Sequence, residues 1–398
     1  MQFKNIKKKI VIKVGKLKFT NNSYKSFDNN VIDFLIELSN KILKSNYSKT
    51  FPDLASFGFF CRKSNLLKLK KNYINNNLIV GRGNVLHVCP SNVPMNFAFS
   101  LIFGLIAGNN NIVRLPRRNF KQVEILCYLI KKILSKKKFN NLKDRICLLK
   151  YEHSDEISNF LSQNVNARLI WGGDDTISKF KTYKTDPRCL DLCFSNRYSI
   201  AVINLKQLAK LKNFEMLNLL NRFYNDSYIM DQQGCSSPQA VFWVGKKDEK
   251  VVVTFWKNLK KIIDRKYSSD FSVVNKKIYS ISNFFMKNKN DYKINKKNFK
   301  IIRVTPKNIS NEIEKIQCHY GTFVELNIKN LISLKKIINN KYQTLTYFGL
   351  KNNEVKKFIQ KSNLIGIDRI VPIGRAFDMS PVWDGFDIVT SLSRIISE

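Results

Sequence analysis

Apolar residues along this chain recur with two periods, and the switch from one to the other marks out its elements. Between Val31 and Leu43 the positions Ile32, Phe34, Leu35, Leu38, Ile42 and Leu43 fall largely on one face of a helix, whereas Ile10 to Val14 reads as a short strand. From Leu78 the pattern sharpens. A strand from Val85 to Val88 runs into Pro90-Ser91-Asn92-Val93-Pro94, an apolar helix from about Phe97 to Ala107 follows, and Gly108-Asn109 leads into a strand from Asn111 to Leu115. Strand, helix with a small-residue stop, and strand form the unit from which parallel nucleotide-binding sheets are built. That helix is too short to span a bilayer and is expected to be buried. A helix from Lys121 to Leu134 and a strand from Ala167 to Trp171, running into Gly172-Gly173-Asp174-Asp175-Thr176, continue the α/β alternation. Ser199 to Ile203 reads as an edge between units. A helix ending near Tyr224 then leads to the polar stretch Asp231 to Gln239 and the strand Ala240 to Val244, which places Cys235 in a turn at a domain edge. Residues 246 to 310 are amphipathic and lysine-rich without repeats, and the last ninety residues return to strand and turn signals.

A chain of 398 residues, 44% of them hydrophobic, can bury a large core and should form two or three domains. It contains no run of about 18 apolar residues, and the lysine-peppered start from Met1 to Val14 lacks a signal peptide's apolar stretch, so a cytoplasmic protein without a membrane span is expected. A formal charge of +39 would ordinarily point to a polyanionic partner. Here the lysines are spread along the chain beside asparagine runs (75 to 77, 109 to 111, and the tract 287 to 300), which reads as a biased composition with a solvated surface and no specific nucleic-acid site. Anionic ligands such as coenzyme A would still be attracted. The Gly81-Arg82-Gly83 stretch lacks phosphate-loop spacing and precedes a strand, so it reads as a turn.

The eight cysteines are scattered, which makes disulfides improbable, and the close pair Cys189 and Cys193 has no second pair at zinc-site spacing, so no metal is expected. Cys235 differs from the rest. It sits between Gly234 and Ser236-Ser237-Pro238, where backbone amides can face the oxygen of an attached acyl group. An arbitrary free cysteine more often packs as a small hydrophobe, so this setting needs support from elsewhere in the chain. Asn92, held between two prolines after a strand, offers it: a fixed side-chain amide there either caps the next helix or donates to a developing oxyanion.

At these two segments the sequence resembles the aldehyde dehydrogenase superfamily, and within it the long-chain acyl-CoA reductases of bacterial bioluminescence (LuxC type). The segments HVCPSNVPMNFAFSLIFGLIAGNNNIVRLP, DQQGCSSPQAVFW, GTFVEL, YQTLTYFGL and IDRIVPIGRAFDMSPVWDGFDIVTSLSR carry the likeness, in order, over roughly residues 80 to 398. The resemblance implies a Rossmann-type parallel-sheet cofactor domain over residues 1–203, an α/β catalytic domain over 204–375 and a C-terminal segment, 376–398, returning to the cofactor domain or an oligomer interface. It implies Cys235 as nucleophile, with Asn92 and the Cys235 backbone N–H as oxyanion donors. Arg114 falls where the superfamily has a basic residue beside the adenosine ribose, Gly173 and Thr176 where a phosphate-side turn enters a helix, and Glu325 where a glutamate meets the nicotinamide ribose. Where oxidising members carry a water-activating glutamate, this chain has Phe194-Ser195-Asn196-Arg197-Tyr198, which favours reduction of an acyl-enzyme over its hydrolysis. The implied activity is NADPH-dependent reduction of a long-chain acyl thioester to the aldehyde, with NADH as the other cofactor choice, an acyl-protein synthetase as partner and a homo-oligomeric assembly. His153 and His319 lie in no recognisable catalytic string. Two other readings stay open: an acyl-transferring cysteine enzyme without a redox step, and a non-enzymatic polyanion-binding protein.

Overall fold

The computed structural model describes residues 6, 8–73, 78–268, 271–287, 292–307 and 312–397; the asparagine run 75–77 and part of the tract 287–300 lie outside them. The chain folds as two compact units, one of residues 1–195 with 379–398, the other of residues 196–378.

The first unit holds β1 (Val11–Gly15), β2 (Leu78–Gly81), β3 (Asn84–Val88), β4 (Asn110–Arg114), β5 (Ile146–Lys150), β6 (Ala167–Trp171) and β7 (Leu190–Phe194). Six of them form one sheet in the order β1-β5-β4-β3-β6-β7, parallel except for β1 at its edge. The order turns back at β3, with β4 and β5 on one side and β6 and β7 on the other. Loops leaving the carboxyl ends of β3 and β6 therefore diverge and open a crevice, the place where such sheets take a nucleotide. β3 and β6 are buried along their whole length. The helix Asn96–Ile106 follows β3 and is buried at every position from Phe97 to Ile106, which explains its lack of a polar face. Lys121–Leu134 is amphipathic, burying Val123, Leu126, Cys127, Ile130 and Ile133 at helical spacing.

The asparagines 109–111 do more than reflect composition. All three are buried. Asn109 Oδ1 accepts the N–H groups of Arg82 and Gly83, at 2.7 and 3.1 Å, and Asn111 Oδ1 faces His87 Nε2 at 3.0 Å. His87 Nδ1 meets Ser100 Oγ at 2.8 Å, and that oxygen takes the indole N–H of Trp171 at 3.1 Å. Four polar side chains in an apolar core thus satisfy one another. The unit is completed by a chain-terminal portion in which β15 (Val382–Trp383) pairs with β16 (Phe386–Asp387), and β17 (Ser393–Ile396) pairs with β2.

The second unit holds β8 (Tyr198–Asn204), β9 (Pro238–Val244), β10 (Tyr292–Asn298), β11 (Ile301–Pro306), β12 (Thr322–Ile328), β13 (Tyr342–Phe348) and β14 (Arg369–Pro372) in one sheet, ordered β10-β11-β12-β9-β8-β13-β14 and parallel except for β10. Successive residues point to opposite faces and both faces are covered. Ile200, Val202, Phe242 and Leu326 join one core, while Ala201, Ile203, Val241 and Trp243 join the other. β8 lies inside this sheet between β9 and β13, so the expected boundary at residue 203 falls within a strand that belongs to the second unit. Among the described residues no helix is long and apolar enough to cross a membrane.

Candidate active site

Cys235 lies on the turn that joins the helix Asn213–Tyr228 to β9, and it is half-buried. The chain reverses there through two consecutive left-handed residues, Asp231 at φ 51° and Gln232 at φ 57°. Each costs on the order of 1–2 kcal/mol for a residue with a Cβ, so the turn must be held from outside. Gln232 does the holding. Fully buried, it accepts the N–H groups of Gly321 and Thr322 at Oε1, at 2.7 and 3.0 Å, and donates from Nε2 to the carbonyls of Pro238 and Thr322. Opposite it stands a second left-handed turn, His319-Tyr320-Gly321, with φ of 53°, 52° and 76°. His319 donates from Nδ1 to the Gln232 carbonyl at 2.9 Å, the Tyr320 N–H reaches the Asp231 carbonyl at 3.0 Å, and Gln233 donates to the Tyr320 hydroxyl at 2.8 Å. Lys277, buried, donates its ammonium to the Tyr320 carbonyl, and burial pulls its pKa down to about 7. The two strained turns thus brace each other.

Around the sulfur, the Gln343 side chain donates from Nε2 to Cys235 Sγ at 3.5 Å. Ser199 Oγ donates to the Cys235 carbonyl at 2.6 Å and accepts the Thr344 N–H at 3.2 Å, tying the turn to β13. Gly234 lets the Phe377 ring come close: a Cβ there would sit 2.6 Å from the ring. The segment carrying Phe377 is fixed from both sides of its backbone. Asp226 accepts the N–H groups of Gly374 and Ala376 at 2.6 and 3.0 Å, and Arg369 donates to the carbonyls of Arg375, Ala376 and Asp378. Burial pushes the Asp226 carboxyl up to about 7. Burial raises the thiols of the other seven cysteines, those of Cys127 and Cys147 to about 12 and those of Cys189 and Cys318 to about 11.

Glu325 is buried in the same unit, where its carboxylate accepts the indole N–H groups of Trp243 and Trp256, at 2.8 and 3.1 Å, and pairs with Arg303 at 3.1 Å. Both oxygens are engaged, which gives the side chain a packing role between two tryptophans. In the first unit, three expected residues gather at the carboxyl edge of the sheet. Arg114 ends β4 with its guanidinium 4.3 Å over the Tyr151 ring. Gly173 is the N-cap of the helix Asp174–Lys181, whose first turn carries Asp174 and Asp175. Thr176 is exposed on that first turn, and a Cβ at Gly172 would meet its methyl at 2.9 Å. Asn92 is exposed in the loop after β3. Asn92 belongs to the first unit and Cys235 to the second. His153 is exposed before the helix Asp155–Gln163.

Residues 63–395 match the family model described as acyl-CoA reductase (LuxC). The chain belongs to the LuxC acyl-CoA reductase family. No curated protein sequence matches it. Among solved structures, this LuxC-family chain is similar to a 1-pyrroline-5-carboxylate dehydrogenase mutant from Thermus thermophilus, at TM-score 0.68 and 8% identity over 99% of this chain and 94% of that one. It is also similar to aldehyde dehydrogenase 21 from Physcomitrella patens, in complex with succinate, at 0.63 and 11% over 92% and 84%. A glyceraldehyde-3-phosphate dehydrogenase from Methanocaldococcus jannaschii, complexed with NADP, gives 0.63 and 14% over 92% and 88%. These likenesses establish the aldehyde dehydrogenase fold. Membership makes the chain one of a family of acyl-group oxidoreductases. Sequence reasoning passed over Gln232, His319, Gln343 and Ser199 as site residues. Gln343 left one signal, a polar residue in an apolar strand whose burial requires a partner.

Proposed function

We propose that the chain reduces long-chain fatty acyl thioesters to aldehydes with NADPH, carrying the acyl group on the sulfur of Cys235. The observation that carries this reading is the setting of that sulfur, half-buried on a doubly braced turn beside an amide donor, in a LuxC-family chain. The Cys235 thiolate attacks the acyl carbon, a C–S bond forms, and the carbonyl pair moves onto oxygen. The backbone N–H of Cys235 and the amide of Asn92 are the donors for that oxyanion. When it collapses, the bond to coenzyme A breaks and coenzyme A leaves as a thiolate, which needs little help from an acid.

The carboxyl edge of the first sheet fits a dinucleotide. A helix N-terminus and a glycine turn at the point where strand order reverses suit a pyrophosphate, so Gly173 and Thr176 would hold it. Arg114 would meet the adenosine ribose, where a guanidinium favours the extra phosphate of NADPH over NADH. Bound there, the reduced nicotinamide would supply a hydride. Glu325 has no part in this assignment, its carboxylate being occupied. The resulting thiohemiacetal on Cys235 releases aldehyde as its C–S bond breaks and the pair returns to sulfur. Stretch 194–198 has no carboxylate to activate water, so the acyl-enzyme persists until it is reduced. The acyl donor is acyl-CoA or an acylated synthetase partner.

Incubation with radiolabelled acyl-CoA tests this. The wild-type chain should take up label, release it on addition of NADPH, and oxidise NADPH fastest with long acyl chains. Cys235→Ala should do none of these, and Asn92→Ala should label on the order of a hundredfold more slowly. Equal labelling of Cys235→Ala would sink the proposal. Labelling without NADPH oxidation would favour acyl transfer without a redox step.

A further inference from the structure

We infer that Gln343 is the residue that holds the sulfur of Cys235 as a thiolate and receives it again as a leaving group, an inference that rests on the acyl-cysteine reading above. Its side chain is 1% exposed and its Nε2 donates to Cys235 Sγ at 3.5 Å, a normal reach for a donor to sulfur. The backbone is shaped to aim it there. Pairing of β13 with β8 slips register between Tyr342 and Leu345, at Gln343-Thr344, and pairing of β8 with β9 slips between Ser199 and Ile200. Irregularities of this kind re-aim a side chain without ending a strand. Ser199 fills the resulting gap, accepting the Thr344 N–H and donating to the Cys235 carbonyl, so one hydroxyl fixes the spacing between the donor's strand and the acceptor's turn.

An amide is well chosen for that place. Unlike a carboxylate it does not repel a thiolate, and unlike a lysine it buries no second positive charge beside the Arg369 guanidinium, which already acts on Cys235. A hydrogen bond to the anionic form lowers the cost of keeping sulfur deprotonated. In the last step, the C–S bond of the thiohemiacetal breaks, the carbonyl forms, and the electron pair arrives on a sulfur already facing a donor. Because an amide is no base at neutral pH, water beside the acyl group gains no activation from it.

The test is alkylation of Cys235 by iodoacetamide in the full-length protein without substrate, read by peptide mass spectrometry as a function of pH. Gln343→Met, close in volume but lacking a donor, should move the midpoint up by about one pH unit, or about tenfold slower alkylation at fixed pH below it. Gln343→Glu keeps the shape, adds a negative charge and should move the midpoint further up. Both variants are first checked for a cooperative unfolding transition, and if the methionine variant does not fold, the glutamate variant decides. An unchanged midpoint in the folded variants overturns the inference. Acyl labelling of Cys235 is measured separately, so a shifted midpoint in a protein that takes no label sinks the acyl-cysteine reading by itself, and normal labelling with no shift sinks this one.

Discussion

His87 is enclosed by Ser100, Asn111 and apolar core, and burial pushes its pKa down to about 4 despite the Asn111 contact. In the unfolded chain the same ring titrates near ~6.5. Between these values the unfolded state binds more protons than the folded one, so stability is full above about pH 6.5 and falls as pH drops towards about 4, by about 3 kcal/mol in all. The unfolding temperature should decline over that window, and His87→Gln, which does not titrate, should flatten the decline; an equal acid slope in both proteins would contradict the assignment. At this scale the sequence was uneven. Cys235 and Asn92 stood out because glycine, serine and proline around them are chemically conspicuous. Gln343 and His319 did not, because a glutamine in a strand or a histidine before a tyrosine becomes part of a site only through neighbours 108 and 87 positions away in the chain.

Among the elements, the two left-handed turns carry the site. Their conformations are costly, and what offsets the cost is mutual: Gln232 and Asp231 on one side, His319, Tyr320 and Gly321 on the other. Gly321 is the position at which that arrangement tolerates least. It has φ 76°, and a Cβ would stand 2.3 Å from the Lys300 carbonyl oxygen and 2.7 Å from the Tyr228 hydroxyl. Gly321→Ala should therefore destabilise the chain by at least about 2 kcal/mol in urea unfolding. It should also slow acylation of Cys235, since relief of the clash displaces the turn that Gln232 braces. Stability within a few tenths of a kcal/mol of wild type would mean that the turn is more yielding than its contacts imply. Sequence periodicity located strands and helices of the first unit closely, with Lys121–Leu134 and Ala167–Trp171 as read. It read β8 as the division between units, a few residues beyond the observed one at Asn196, because a strand buried on both faces gives a continuous apolar run whichever unit it belongs to.

Taken whole, the molecule carries +39 formal charge, which no arrangement of 30 acidic residues can neutralise. Exposed surface ion pairs such as Lys9 with Glu156 and Lys18 with Asp144 contribute little each. Net repulsion should dominate. Moderate salt should raise the unfolding temperature by screening that repulsion, and a flat or falling response across ionic strength would show that the charges are compensated locally. The α/β class, the alternation of elements and the cysteine turn follow from sequence alone, because residue periodicity and turn chemistry are local properties. Strand order, the crevice at the reversal between β3 and β6, the occupation of Glu325 by two tryptophans and an arginine, and the amide aimed at Cys235 were decided by tertiary structure. Each depends on residues far apart in the chain being brought within hydrogen-bonding distance, and only the packed sheets fix which residues those are.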